Sequence, residues 1–138
     1  MSTGSACAAR ERPGLQLYAL DELYAVVRLE PDAELPPWAR GGHFWSITRS
    51  DSELSVVCPQ DDVPPDASAE RGWCVFEVAG PLDFSLTGVV SSLVAPLAAE
   101  EIPLFVVSTF ETDYLLVREH DLHRSVEALT SAGHSVDG

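Results

Sequence analysis

The sequence predicts an α+β fold in which two helices cover one face of an antiparallel sheet, and three observations carry that prediction. Leu86, Val89, Val90, Leu93, Val94 and Leu97 recur in steps of three and one, which places all six on one stripe of a helix. Leu122, Val126 and Leu129 repeat the pattern farther on and run into Gly133, a helix stop. Around these stretches, residues 73–79, 102–108, 113–118 and 134–136 are short and rich in branched and aromatic side chains, as strands are. From Trp73 onward the order is therefore β-α-β-β-α-β, the split βαβ, ferredoxin-like plan.

The elements can be justified in chain order. Residues 1–13 are small and polar and stop at Pro13-Gly14, the composition of a flexible tail. Residues 15–20 and 24–29 read as two strands flanking Asp21-Glu22, after which Pro31, Pro36, Pro37, Gly41 and Gly42 interrupt the chain. Between 43 and 49, His43, Trp45 and Ile47 alternate with Phe44, Ser46 and Thr48, and with residues 54–58 they make a predicted hairpin across Ser50-Asp51-Ser52. Residues 59–72 are dense in Pro and Asp without apolar periodicity and read as a connector. We therefore expect two modules, residues 14–70 and 71–138.

Within the second module, Pro96 falls inside the first helical stripe and is expected to bend or shorten its last turn, because it lacks an amide donor. The far side of that helix carries the small residues Gly88, Ser91, Ser92 and Ala95. The nearly continuous apolar run 102–108 predicts a strand buried on both faces, with Pro103 at its start.

Charge narrows the function. The 138 residues hold eight arginines, no lysine and 22 carboxylates, for a net charge of −14 spread over both halves. Such a surface repels nucleic-acid backbones and anionic membranes. Without lysine there is no Schiff base, no pyridoxal phosphate anchor and no P-loop. Cys7, Cys58 and Cys74 show neither metal-knuckle nor redox-pair spacing and read as reduced thiols. No segment has the apolar length of a secretion signal or a membrane span, so a cytoplasmic protein is expected.

The common chemistries also lack their motifs. No G-x-S-x-G elbow sets a serine beside His43, His120, His123 or His134, so no hydrolase and no catalytic residue is expected. His120 and His123 stand three apart at a helix start but have no partner cluster, so no metal is expected. The Gly-x-Gly-x-x-Gly turn of a dinucleotide site is absent, and no cofactor is expected. More informative is the loop Gly80-Pro81-Leu82-Asp83-Phe84-Ser85-Leu86-Thr87-Gly88, which leads a strand into the best helix. Asp83 or Ser85 can cap that helix, and the first-turn amides of residues 85–88 can equally hold a carboxylate. If the turn 108–113 lies alongside, Ser108 and Thr109 add hydroxyls and Asp113 an acid for an ammonium group, a pairing that suits an α-amino acid.

At this point the residues resemble a family. Phe44-Trp45-Ser46-Ile47-Thr48-Arg49, Glu53-Leu54-Ser55-Val56-Val57-Cys58, the loop 80–88 and above all Ser108-Thr109-Phe110-Glu111-Thr112-Asp113-Tyr114-Leu115-Leu116-Val117 look like the tandem ACT domain proteins. These are similar to the regulatory domains of aspartate kinases and to the arginine-sensing CASTOR subunits, and the likeness runs from about residue 14 to residue 136. It implies two ACT modules, a degenerate one over 14–70 and a second over 71–138, with an amino acid held at a module or dimer interface. By resemblance the ligand loop falls on Asp83, Phe84, Ser85, Leu86, Thr87, Gly88 and Val89. Further contacts fall on Thr109, Phe110 and Asp113, with Ser92 and Leu93 on the facing helix. Leu86 departs from the arginine sensor, which carries an acid suited to a guanidinium there. With two modules where CASTOR-like chains have four, the resemblance implies a homodimer. Without a catalytic domain it implies a regulator that reaches an unidentified protein by association. A ligand-free dimerisation or protein interaction module is the alternative.

Overall fold

The computed structural model describes residues 14–80 and 88–138. Among the described residues, eight strands and two α-helices follow one another: β1 (Gln16–Ala19), β2 (Tyr24–Leu29), β3 (Ser46–Arg49), β4 (Leu54–Pro59), β5 (Ala69–Val78), α1 (Val89–Ala99), β6 (Leu104–Ser108), β7 (Asp113–Arg118), α2 (Leu122–Ser131) and β8 (Ser135–Asp137). The expected α+β, ferredoxin-like class is the one observed. The expected tail, residues 1–13, and residues 81–87 of the expected ligand loop lie outside the described residues.

The ten-residue β5 organises the sheet. On one side β7 runs antiparallel to it, from Trp73↔Arg118 to Glu77↔Tyr114, and β6 continues beyond β7. On its other side two strands share its length. β2 pairs with the first half, at Tyr24↔Trp73 and Val27↔Ala69, and β1 with the second, at Leu17↔Val78 and Ala19↔Phe76. β4 and then β3 extend the sheet from β2. β8 joins β1 in parallel, with Gln16 opposite Ser135. A strand from the N-terminal half thus sits between β5 and β8, where a four-stranded plan would pair those two directly. Its close approach relies on Gly14, where a Cβ would stand 1.8 Å from the carbonyl oxygen of Gly133.

The start of β5 corrects the expected connector, because residues 69–72 already belong to the strand. Gly72 reads as a loop residue in the sequence. It adopts φ 82° beside the register shift between β5 and β2, the conformation of a bulge, so the strand passes through it.

Alternation along the strands builds two layers of core. Cys74, Phe76 and Val78 of β5, with Leu115 and Val117 of β7, face Leu93 and Leu97 of α1 and Leu129 of α2. Trp73, Val75 and Leu116 point the other way and meet Tyr24, Phe44 and Val57. A third cluster, with Val27, Val56 and Cys58, lies under Ala39 and Val63. Removal of these apolar surfaces from water supplies the main driving force for the fold.

Three local expectations are corrected. β6 pairs with β7 alone and its apolar residues are only half-buried, so it is an edge strand and not one covered on both faces. In α1, Val89, Leu93 and Leu97 are buried while Val90 is 38 % exposed, which narrows the stripe. α1 also runs through Pro96 to Ala99 without being cut short. The ring of His134, beyond the end of α2, reaches the Ser92 carbonyl of α1.

Candidate functional site

Asp83, Phe84, Ser85, Leu86 and Thr87 lie outside the described residues, and the segments on either side of them frame the site. β5 delivers the chain to Val78 and Ala79, whose amide donates to the Gln16 carbonyl at 2.7 Å. Gly88, immediately before α1, has φ 75°. This left-handed conformation suits glycine. The Gly88 carbonyl accepts the Ser92 amide at 2.9 Å and the Ser91 hydroxyl at 3.3 Å, so the first turn of α1 closes on it. Val89 is buried, the Ser92 hydroxyl donates to the Val89 carbonyl at 2.7 Å, and Leu93, 1 % exposed, belongs to the helix–sheet core.

The second part is the turn between β6 and β7. Ser108 and Asp113 are opposite in register, and the Ser108 hydroxyl donates to Asp113 Oδ1 at 2.6 Å. Inside this pair, Thr109 closes the turn. Its amide donates to the Thr112 carbonyl at 2.8 Å, and its hydroxyl donates to the same carbonyl at 3.1 Å while accepting the Thr112 amide at 3.3 Å. Phe110 is left at the tip, 80 % exposed. Asp113 is held by an uncharged hydroxyl, which leaves its carboxylate able to meet an ammonium group.

What relates this turn to α1 is Thr112, a residue absent from the sequence-predicted set. It is buried, and its hydroxyl donates to the Val78 carbonyl at 2.6 Å. Val78 in turn shares a core cluster with Leu93 of α1. The turn and the helix are therefore both built on the last residues of β5. His120 and His123 are exposed beside Asp121 and Glu127, at 3.4 Å in each case. Among the described residues no three His, Cys, Asp or Glu side chains gather as a metal site requires.

Comparison with known proteins places this architecture. Residues 68–131 match the model of the ACT domain, and residues 22–66 match a second model described as an N-terminal domain. Residues 68–131 thus form an ACT domain. It is 30 % identical over 129 residues to the cytosolic arginine sensor for mTORC1 subunit 1 of Bos taurus and of Homo sapiens, over 86 % of this chain. The chain spans 37 % of the length of those relatives. Among solved structures, a protein of Agrobacterium tumefaciens is 45 % identical with a TM-score of 0.86, over 91 % of this chain and 93 % of that one. The aspartate kinase of Clostridium acetobutylicum shares the fold at 11 % identity, with a TM-score of 0.65 over 91 % of this chain and 36 % of that one.

Proposed function

We propose that this chain is a non-enzymatic ACT regulatory protein that binds a small amino acid at a module or dimer interface. The 14–70 and 71–138 modules form the unit, two copies supply four modules, and occupancy is passed to a separate protein in the cytoplasm. One observation carries the reading: the Thr112–Val78 hydrogen bond seats the Ser108–Asp113 turn on the same strand end from which the chain leaves for Gly88 and α1. Because α1 starts at Val89, its first-turn amides are those of residues 89–91 and not the expected 85–88; they would take the carboxylate and Asp113 the ammonium group, with Ser108, Thr109, Phe110, Ser92 and residues 83–89 around them. The relationship to a protein named as an arginine sensor supports the class of ligand. Among the described residues no helix is long and apolar enough to cross a membrane.

The test is calorimetric titration of the chain with each of the twenty proteinogenic amino acids, repeated on Asp113→Ala and Gly88→Val. Binding to the parent protein, lost in both variants while they remain folded, is the expected result. Unchanged affinity in both rejects the site. A second reading, a ligand-free interaction module, is favoured by one feature: Asp113 already accepts the Ser108 hydroxyl, as a turn built only for structure would arrange. Thermal-shift measurement separates the two. A ligand at 100 times its Kd adds about 2.7 kcal/mol of stability, and a melting temperature indifferent to every amino acid favours the interaction module.

A further inference from the structure

His134 follows Gly133 at the end of α2 and is 7 % exposed. Its backbone amide donates to the Leu129 carbonyl at 3.1 Å, and that of Gly133 to Thr130 at 3.0 Å, which together cap α2 around the left-handed Gly133. Its ring then reaches two other elements. Nδ1 accepts the Leu15 amide at 3.0 Å, and Nε2 lies 3.0 Å from the Ser92 carbonyl. An amide N–H can only donate and a carbonyl can only accept, so the two contacts settle the tautomer, with the hydrogen on Nε2.

The Ser92 carbonyl is not an arbitrary acceptor. In an α-helix it would receive the amide of residue 96, and residue 96 is Pro, which has none. The carbonyl would otherwise lack a donor from its own helix, and the histidine supplies one from outside.

We infer that His134 is a positioning residue for the candidate amino-acid site: it replaces the hydrogen bond that Pro96 removes, and so ties the part of α1 carrying Ser92, Val89 and Gly88 to Leu15, the residue before β1. The affinity part of this inference rests on the reading of α1 as one wall of that site. The hydrogen-bond substitution does not, and the two are tested separately.

Nitrogen-15 spectra of the histidine rings in the full chain should give His134 a lone-pair signature at Nδ1 and a protonated one at Nε2; the reverse tautomer overturns the inference. Amide exchange is then compared among the parent chain, His134→Phe, Pro96→Ala and the double variant. His134→Phe should accelerate exchange about tenfold at both Leu15 and the first turns of α1. Adding Pro96→Ala should restore α1 and leave Leu15 fast, because an alanine introduced there supplies an amide to the Ser92 carbonyl but nothing to Leu15. Equal exchange in all four proteins, or the same effect of His134→Phe on α1 with either residue at 96, refutes the substitution. Should His134→Phe fail to fold, the double variant should still fold, and its failure would count against the inference. Titration of the same proteins with the twenty amino acids tests the second part: His134→Phe should weaken whichever one the parent binds by about five- to tenfold, with recovery in the double variant. If the parent binds none, the functional reading fails and the exchange result stands on its own. If the parent binds and His134→Phe binds equally well, the positioning role fails.

Discussion

The hydroxyl of Thr112 donates to the carbonyl of Val78 across 2.6 Å in a buried position, joining the β6–β7 turn to the end of β5. The side-chain hydrogen bonds of Ser108 and Thr109 are made within the turn, so that of Thr112 sets where Asp113 stands relative to the strand that leads toward α1. Replacing Thr112 by Val keeps the shape and removes the donor, leaving a buried carbonyl without it. A loss of about 1–3 kcal/mol is expected in urea denaturation, together with faster amide exchange over residues 109–113. A variant as stable as the parent would show that the bond does not anchor the turn.

Two helix ends use the same cap with different residues. At α1, Glu101 adopts φ 57° while its amide donates to Ala98 at 2.9 Å and that of Ile102 to Leu97 at 3.0 Å. At α2 the corresponding left-handed position is Gly133, with φ 99°. Side chains other than glycine are strained there by about 1 kcal/mol. Glu101→Gly should therefore stabilise the protein by about 0.5–1 kcal/mol, and Gly133→Ala should destabilise it by a similar amount. The Gly133 effect is one of backbone conformation alone, since a Cβ there meets nothing within 4 Å. Thermal unfolding of the two variants checks both signs.

Alkaline pH should unfold the protein progressively. Burial first, and the charge of Glu22 second, push the Tyr24 phenol from 10 up to about 12, with the backbone of Phe44 opposing the shift only in part. Burial and then Asp62 push the Cys58 thiol from 9 up to about 11. Both folded values lie above those of the unfolded chain. The unfolded state therefore releases its protons first as pH rises, so the stability held by these groups is complete below about pH 9 and is lost between about pH 9 and 12. The Tyr24 hydroxyl is buried and makes no hydrogen bond of acceptable geometry. Tyr24→Phe should accordingly raise stability at neutral pH by about 1 kcal/mol and flatten the decline above about pH 10. Urea midpoints measured from about pH 7 to about pH 11.5 test both statements.

Leu93 and Ser92 are neighbours in the proposed site with different duties. Leu93 fills the helix–sheet core, so Leu93→Ala should cost about 2–5 kcal/mol. The Ser92 hydroxyl donates within its own helix, to Val89, and Ser92→Ala should change stability by less than about 0.5 kcal/mol. A ligand effect confined to Ser92→Ala, set against a stability effect confined to Leu93→Ala, is the outcome expected of denaturation and titration together.

Much of the fold is legible in the residues. Apolar spacing announces the two helices, Gly133 the stop of α2, and polar residues between apolar runs the β6–β7 turn. These depend on neighbours within one or two turns of chain, which is the range over which periodicity and turn chemistry act. The misreadings share a cause. Gly72 reads as a loop because a bulge and a loop use the same left-handed glycine, and only the partner strand tells them apart. The 102–108 run reads as a central strand because hydrophobicity reports burial without reporting which strands lie alongside. Of the candidate site, the hydroxyls and the acid of the 108–113 turn are legible as residue types, whereas the anchor beneath them is not.

The sequence by itself determined the class of fold, the two helices and the residues from which a zwitterion site could be assembled, because local conformation and alternation follow from side-chain chemistry. Only the tertiary structure decided that β1 lies between β5 and β8, that Thr112 rests on Val78, and that His134 serves a carbonyl 42 residues away that Pro96 cannot. Those are pairings of groups distant along the chain, and which donor meets which acceptor is settled by how the sheet and helices close on one another, not by any spacing in the sequence.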